Sequence, residues 1–173
     1  YQLRLVGKII RIIMISIEKY SAEKAHLIHA LSVTPEQAQF TVDNIGEMIP
    51  KLKESEHPYV IMKGDQPVGF FLLDIGYAEK FSFCPEDSIG IRALLIDRNL
   101  QGQGIARDAL KLLPQYVGEV YPQVNSLYLT VNCRNEPAYR CYLSSGFTDT
   151  DELYLGGPVG PQHIMMTSVC GRG

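Results

Sequence analysis

The sequence predicts an α/β (α+β) domain, with one mixed β-sheet whose two faces are both covered by helices. Three observations lead there. Short apolar or alternating runs recur from Ile13 to Val169 and read as strands. A long segment, Ile105 to Val120, carries Leu110, Leu113 and Val117 on one helical stripe. The element order β-α-α-β-β-β-α-β-α-β-β interleaves helices with strands of one sheet, which requires cover on each face.

Taken in order, Ile13 to Tyr20 alternates as a first strand, and Ser21 is placed to cap a helix from Ala22 to about Leu31. Thr34-Pro35-Glu36 opens a second helix with a capping residue followed by proline, and that helix is expected to run to Met48, before Pro50. Tyr59 to Met62 and Val68 to Ile75 flank the turn Lys63-Gly64-Asp65-Gln66-Pro67, a hairpin. Tyr77 to Asp87 reads as a loop. Ile89 to Ile96 is apolar on both sides, as a central strand should be. Ile105 to Val120 is helical with Pro114 a candidate kink, and Leu127 to Val131 is a strand. Pro137 to Ser145 is a short helix ended by Gly146. Phe147 to Leu155 and Ile164 to Val169 complete the sheet across the Gly/Pro-rich stretch Gly156 to Pro161.

A chain of 173 residues fits one domain with its own core. Its 46% hydrophobic content and mean hydropathy of −0.02 are those of an ordinary soluble globular protein. The net charge of −3 argues against nucleic acid as a partner. Cys84, Cys133, Cys141 and Cys170 show no metal spacing and read as reduced thiols, which suits a cytoplasmic protein. His26 and His29 have no third ligand in view, so no metal is expected. Leu3 to Ile17 is too short and too charged, with Arg4, Lys8 and Arg11, for a membrane span. Residues 14–169 are taken as the domain and 1–13 as an N-terminal extension, either an added remnant or an extra strand, with Met14 a candidate natural start.

The most informative segment is Ile96-Asp97-Arg98-Asn99-Leu100-Gln101-Gly102-Gln103-Gly104-Ile105-Ala106-Arg107. A strand stops, two glycines follow, and a helix starts at once. Such a junction leaves several backbone N–H groups unpaired and aimed the same way, a site for phosphate oxygens. No Lys-Ser or Lys-Thr follows the glycines as a P-loop requires, and Arg107 occupies the third small position of a dinucleotide fingerprint. The bland alternative is a strand–helix turn that needs flexible glycines. A second constellation follows the strand at Leu127: Asn135-x-x-Ala138-x-x-x-Tyr142, then Gly146-Phe147. Asn135 is also a natural helix cap, and Tyr142 could be a core tyrosine.

Gln101-x-x-Gly104-x-Ala106 and the Asn135–Phe147 pattern, in this order, resemble the two signatures of the GNAT N-acetyltransferases over roughly residues 14–169. The resemblance implies a mostly antiparallel central sheet of about six to seven strands flanked by about four helices. It implies acetyl-CoA as cosubstrate and a small amine as acceptor. Gln101, Gly102, Gln103, Gly104, Ile105 and Ala106 would cradle the pyrophosphate, and Asn135 would contact the pantetheine arm. The main chain of Leu94, Leu95 and Ile96 would bind that arm like an added strand, and groups of the same strand would hold the thioester oxygen as charge builds on it. Tyr142 would protonate the departing thiolate, since phenol and thiol pKa values of about 10 and about 8.5 are near enough for transfer.

An acceptor amine is protonated at neutral pH and must first lose a proton. Asp74, Glu79, Glu86 and Asp87 are candidate bases; Asp87, just before the central strand, is the one chosen, although Glu86 and Asp87 also read as a solvated loop pair. Arg92 is a candidate ion-pair partner for one of these carboxylates. Pro35-Glu36-Gln37-x-x-Phe40 and Arg92-x-Leu94-x-Ile96-Asp97 resemble the bacterial diamine/polyamine branch, and Glu36, Asp43 and Glu47 could meet a polycation. An aminoglycoside, an amino-acid derivative, a protein N-terminus or a non-catalytic acyl-CoA-binding role stand as alternatives. Homodimers are frequent in the family, and Ile164 to Val169 is taken as an exposed edge for one.

Overall fold

The computed structural model describes residues 14–170. The 1–13 extension therefore lies outside the described residues.

Seven strands form one sheet: β1 (Ile15–Lys19), β2 (Glu56–Lys63), β3 (Gln66–Asp74), β4 (Ser88–Ile96), β5 (Ser126–Asn132), β6 (Thr148–Tyr154) and β7 (Gln162–Ser168). Their order is β1-β2-β3-β4-β5-β7-β6. Every pairing is antiparallel except β4 with β5, which is parallel. The helices are α1 (Ala25–His29), α2 (Pro35–Ala38), α3 (Ile45–Met48), α4 (Tyr77–Lys80), α5 (Ile105–Val120) and α6 (Glu136–Ser144).

The sheet separates two cores. On one face α5 lays Ile105, Ala109, Leu110, Leu113 and Val117 against Ile61, Phe71, Ile89 and Leu127. On the other, Ile28 of α1 and Ile45 of α3 cover Val60, Met62, Phe70 and Leu95. Alternation along β2 decides which side chain goes where: Tyr59 and Ile61 belong to the first core, Val60 and Met62 to the second.

Four expectations need correction. The expected helix from Pro35 to Met48 is two short helices, because Asn44 starts a new one by accepting the Glu47 N–H at 3.0 Å. Its expected end at Met48 holds, with a 3₁₀ turn, Ile49–Lys51, following it. The stretch read as a loop from Tyr77 begins as a short helix, Tyr77–Lys80. The Ala22–Leu31 helix begins as a 3₁₀ turn, Ala22–Lys24, and ends at His29. Ile164 to Val169 is not an edge: β7 lies between β5 and β6, and among the described residues the outer strands are β1 and β6.

Two irregularities open the sheet near its middle. The β4/β5 ladder spans only Ser88–Gly90 against Ser126–Tyr128, after which the two strands part. In the same half of β4, Ala93 has φ of +56° and the register against β3 slips between Phe70 and Leu72. Ala93 and Leu94 thus both face Phe71 alone, a β-bulge that turns β4 away from its neighbour.

Candidate active site

The parting of β4 and β5 exposes main chain that a sheet interior would pair. Asp97 N–H donates to Val68 O of β3 at 2.9 Å. Across that planar trans peptide the Ile96 carbonyl must point the opposite way, into the opening. There it accepts from Gln101 Nε2 at 3.1 Å. The Leu95 carbonyl faces β3, 2.7 Å from where a Cβ on Gly69 would stand, so the Ile96 N–H also points into the opening. The Leu94 carbonyl accepts from Thr41 Oγ1 at 2.9 Å. Of the three strand residues, then, Leu94 and Ile96 present polar groups away from β3, while Leu95 turns its carbonyl toward β3 and its side chain into the core.

At the end of β4 the chain reaches the N-terminus of α5 through Gly102 and Gly104, with φ of +80° and +77°. Gly104 caps the helix without any side-chain hydrogen bond, and the first helical bond runs from Asp108 N–H to Gly104 O at 3.0 Å. The N–H groups of Ile105, Ala106 and Arg107 therefore have no carbonyl to meet within the helix. Together with the left-handed glycines they form an anion cradle, and the helix dipole adds positive potential. A Cβ at Gly104 would stand 2.9 Å from Arg107 Nη2. Gln101 does not point into this cradle. Its side-chain amide exchanges bonds of 2.8 and 2.6 Å with Gln37 and holds Ile96 O, which fixes the loop's take-off angle.

On the other side of the opening stands α6. Asn135 precedes it without capping it by its side chain, which leaves that amide available. Tyr142 is buried, edge-on to Phe147 at 5.9 Å, and burial pushes its phenol above the ordinary value. Tyr77 is near enough to contribute to that rise. Tyr77 is itself buried, raised by desolvation, and hydrogen-bonded to the Thr130 side chain. Its ring lies on Gly90, where any Cβ would overlap the ring carbons. Tyr77, Thr130 and Gly90 were not among the expected site residues. A glycine inside the central strand was the one sequence signal for such a close approach.

Beside the bulge lies an open groove of about 510 Å³, lined among others by Thr41, Asp43, Glu47, Glu56, Arg92 and Ala93. Arg92 Nη1 bonds Glu56 at 2.7 Å and the fully buried Asp74 at 3.1 Å, and Lys80 reaches Asp74 at 2.8 Å. Arg92 is thus an ion-pair partner, with Asp74 one of the carboxylates expected and Glu56 not foreseen. Asp87 is elsewhere: it is exposed at the closed end of the β4/β5 pair and accepts from Asn125 Nδ2. The structure puts Leu94, Ile96 and the Gln101–Ala106 loop on the β4 side of the opening and Asn135 just past the end of β5, buries Tyr142 in the core beneath α5, and leaves Asp87 outside the groove. Asp43 and Glu47 line the groove; Glu36 does not. Among the described residues no group of three or more His, Cys, Asp or Glu could hold a metal ion, and no helix is long and apolar enough to cross a membrane.

The Acetyltransferase (GNAT) family matches residues 27–147, which include the opening, the loop and Tyr142. The chain belongs to the GNAT acetyltransferase family. An uncharacterized N-acetyltransferase of Bacillus subtilis (strain 168), YbbJ, is 31% identical to this acetyltransferase over 162 residues, covering 87% of this chain and 95% of the relative. Solved structures share the fold at lower identity. An aminoglycoside acetyltransferase in complex with coenzyme A and kanamycin superposes with a TM-score of 0.73 at 18% identity, covering 90% of this chain and 95% of that one. The spermidine N-acetyltransferase of Vibrio cholerae, in complex with CoA and spermine, gives 0.65 at 18%, with the same coverage of 90% and 95%.

Proposed function

We propose that this GNAT acetyltransferase moves the acetyl group of acetyl-CoA directly onto a primary amine of a small polycation, a polyamine being the leading candidate. The observation that carries the reading is the opening between β4 and β5, whose β4 lip leads to the anion cradle at the start of α5. The pyrophosphate sits on the N–H groups of Gly102 through Ala106, with Gln101 holding the loop. The pantetheine arm lies along Leu94 and Ile96 as an added strand, and Asn135 binds it from α6. The neutral amine attacks the thioester carbon, a tetrahedral intermediate forms, and Tyr142 gives its proton to the departing CoA sulfur while the nitrogen releases its extra proton to solvent.

The amine arrives from the groove. Asp43, Glu47 and Glu56 attract its cationic body, and the Glu56 and Asp74 carboxylates offset the charge of Arg92. Glu56, directly or through water, is the carboxylate we assign to take the ammonium proton. Asp87, the base expected from the sequence, is the competing assignment. Support for a polycation comes also from two proteins of the same fold, whose complexes hold kanamycin and spermine.

The test is CoA release from acetyl-CoA with a panel of spermine, spermidine, putrescine, aminoglycosides and amino acids. Release with the polyamines is the expected result; release with amino acids alone would overturn the acceptor class. Glu56→Gln and Asp87→Asn then decide the base, since only loss of the true base lowers kcat and shifts its pH profile.

A further inference from the structure

The segment from Gln37 to Thr41 makes three contacts around the opening. Gln37 exchanges amide bonds with Gln101 of the anion-cradle loop. Thr41 Oγ1 donates to Leu94 O on β4. The Phe40 ring lies under the Arg134 guanidinium, 5.8 Å from its centroid, at the turn between β5 and α6. Residues 37–41 therefore span from the β4 lip and the phosphate loop to the opposite lip of the same opening. The next residues, Thr41 through Asn44, line the amine groove. Thr41 is the residue that belongs to both.

We infer that Thr41 is a positioning residue which seats the pantetheine arm and joins the cofactor slot to the amine groove. The inference rests on the reading that the slot holds the CoA arm, and it assigns a task that neither of the family-like patterns includes. The physical argument is one of preorganisation. Leu94 O stands at the bulge, where Ala93 is held at φ +56°. A carbonyl there stands one residue beyond that strained backbone and has two lone pairs. The Thr41 hydroxyl occupies one and fixes the peptide plane, leaving the other for an amide N–H of the arm. Phe40 and Gln37 hold the segment at its flanks, so the hydroxyl arrives already placed and its ordering entropy is not charged to binding. Because the same residue begins the groove wall, an arm that seats against it also sets Asp43 and Asn44.

The experiment measures the affinity of CoA and of adenosine 3′-phosphate 5′-diphosphate, which is CoA without its pantetheine arm, by calorimetry. The wild type is compared with Thr41→Val, which keeps the shape and loses the hydroxyl, and with Thr41→Ser, which keeps the hydroxyl. Thr41→Val is expected to weaken CoA about five-fold, as the arm's acceptor loses its placement, and to leave the nucleotide within about two-fold. Thr41→Ser is expected to restore CoA. Equal CoA affinity in wild type and Thr41→Val overturns the inference. So does equal weakening of both ligands, which would make Thr41 a prop for the fold alone. A wild type that binds CoA no tighter than the nucleotide overturns instead the slot reading beneath it.

Discussion

Tyr142 has one hydroxyl and, by this reading, one task, so its titration should be visible in the rate. Desolvation holds its phenol above the ordinary value of about 10. The acid form is the active form, and a raised pKa extends its range upward in pH. The rate should therefore climb as the amine and its base deprotonate, then stay level beyond about pH 9 with no falling limb there. Tyr142→Phe should lower kcat about a hundred-fold while CoA affinity stays near wild type. A falling limb near neutrality, or an unaffected kcat, would remove Tyr142 from the acid role. A second tyrosine tests stability rather than chemistry. Tyr59 is fully buried, accepts from Tyr116 at 2.9 Å and meets Tyr121 at 2.9 Å, which in turn bonds His57. Desolvation raises the Tyr59 phenol, so the folded state keeps a proton that the unfolded chain releases. The resulting stability is full below about pH 10 and is lost as pH rises beyond the unfolded value. Tyr59→Phe should cost about 1–2 kcal/mol at neutral pH by orphaning its partners, and urea melts would show it together with a weaker alkaline decline.

The loop before α5 carries the clearest prediction at the scale of elements. Gly104 combines a left-handed φ of +77° with a Cβ position 2.9 Å from Arg107 Nη2. Gly104→Ala forces either the strain or a shift of the Arg107 side chain, and it tilts the N–H groups of the cradle. We expect about a ten-fold rise in KM for acetyl-CoA with a loss of stability of about 1 kcal/mol, read by steady-state kinetics beside a thermal melt. An unchanged KM would show that the cradle lies elsewhere. The same element shows what a sequence can disclose. The bounds of α5 were readable because capping glycines, a 16-residue apolar stripe and a following break all agree. The break at Phe40–Asn44 was not, since Thr41, Asp43 and Asn44 fit a helix surface as well as a loop. What decides there is tertiary: Thr41 bonds Leu94 and Asn44 re-caps α3. For the site the division is similar. Gly104, Asn135 and Tyr142, as proposed site residues, stand in local patterns that a sequence displays. Glu56 and Tyr77 reach the site only through strand register and a contact with Gly90, which no local pattern encodes.

At the scale of the molecule, the sheet is split along one seam, with a buried core on each face of its central strands. Three β4/β5 residue pairs join its two halves, β1 to β4 and β5 to β6, beside the packing of α5. A ligand that inserts as an extra strand would complete the sheet, so binding should stabilise the whole fold and not merely the loop. With CoA at about a hundred times its Kd, linkage gives about 2.7 kcal/mol of added stability. Hydrogen exchange locates where it arises. The Ile96 amide points into the opening, and those of Ile105 and Ala106 have no carbonyl within the helix, so these three should slow markedly on adding CoA. Amides of β1 and β2, far across the sheet, should slow only to the extent that global unfolding limits them. Protection confined to Ile105 and Ala106, with Ile96 unchanged, would leave the phosphate cradle in place and dismiss the added strand.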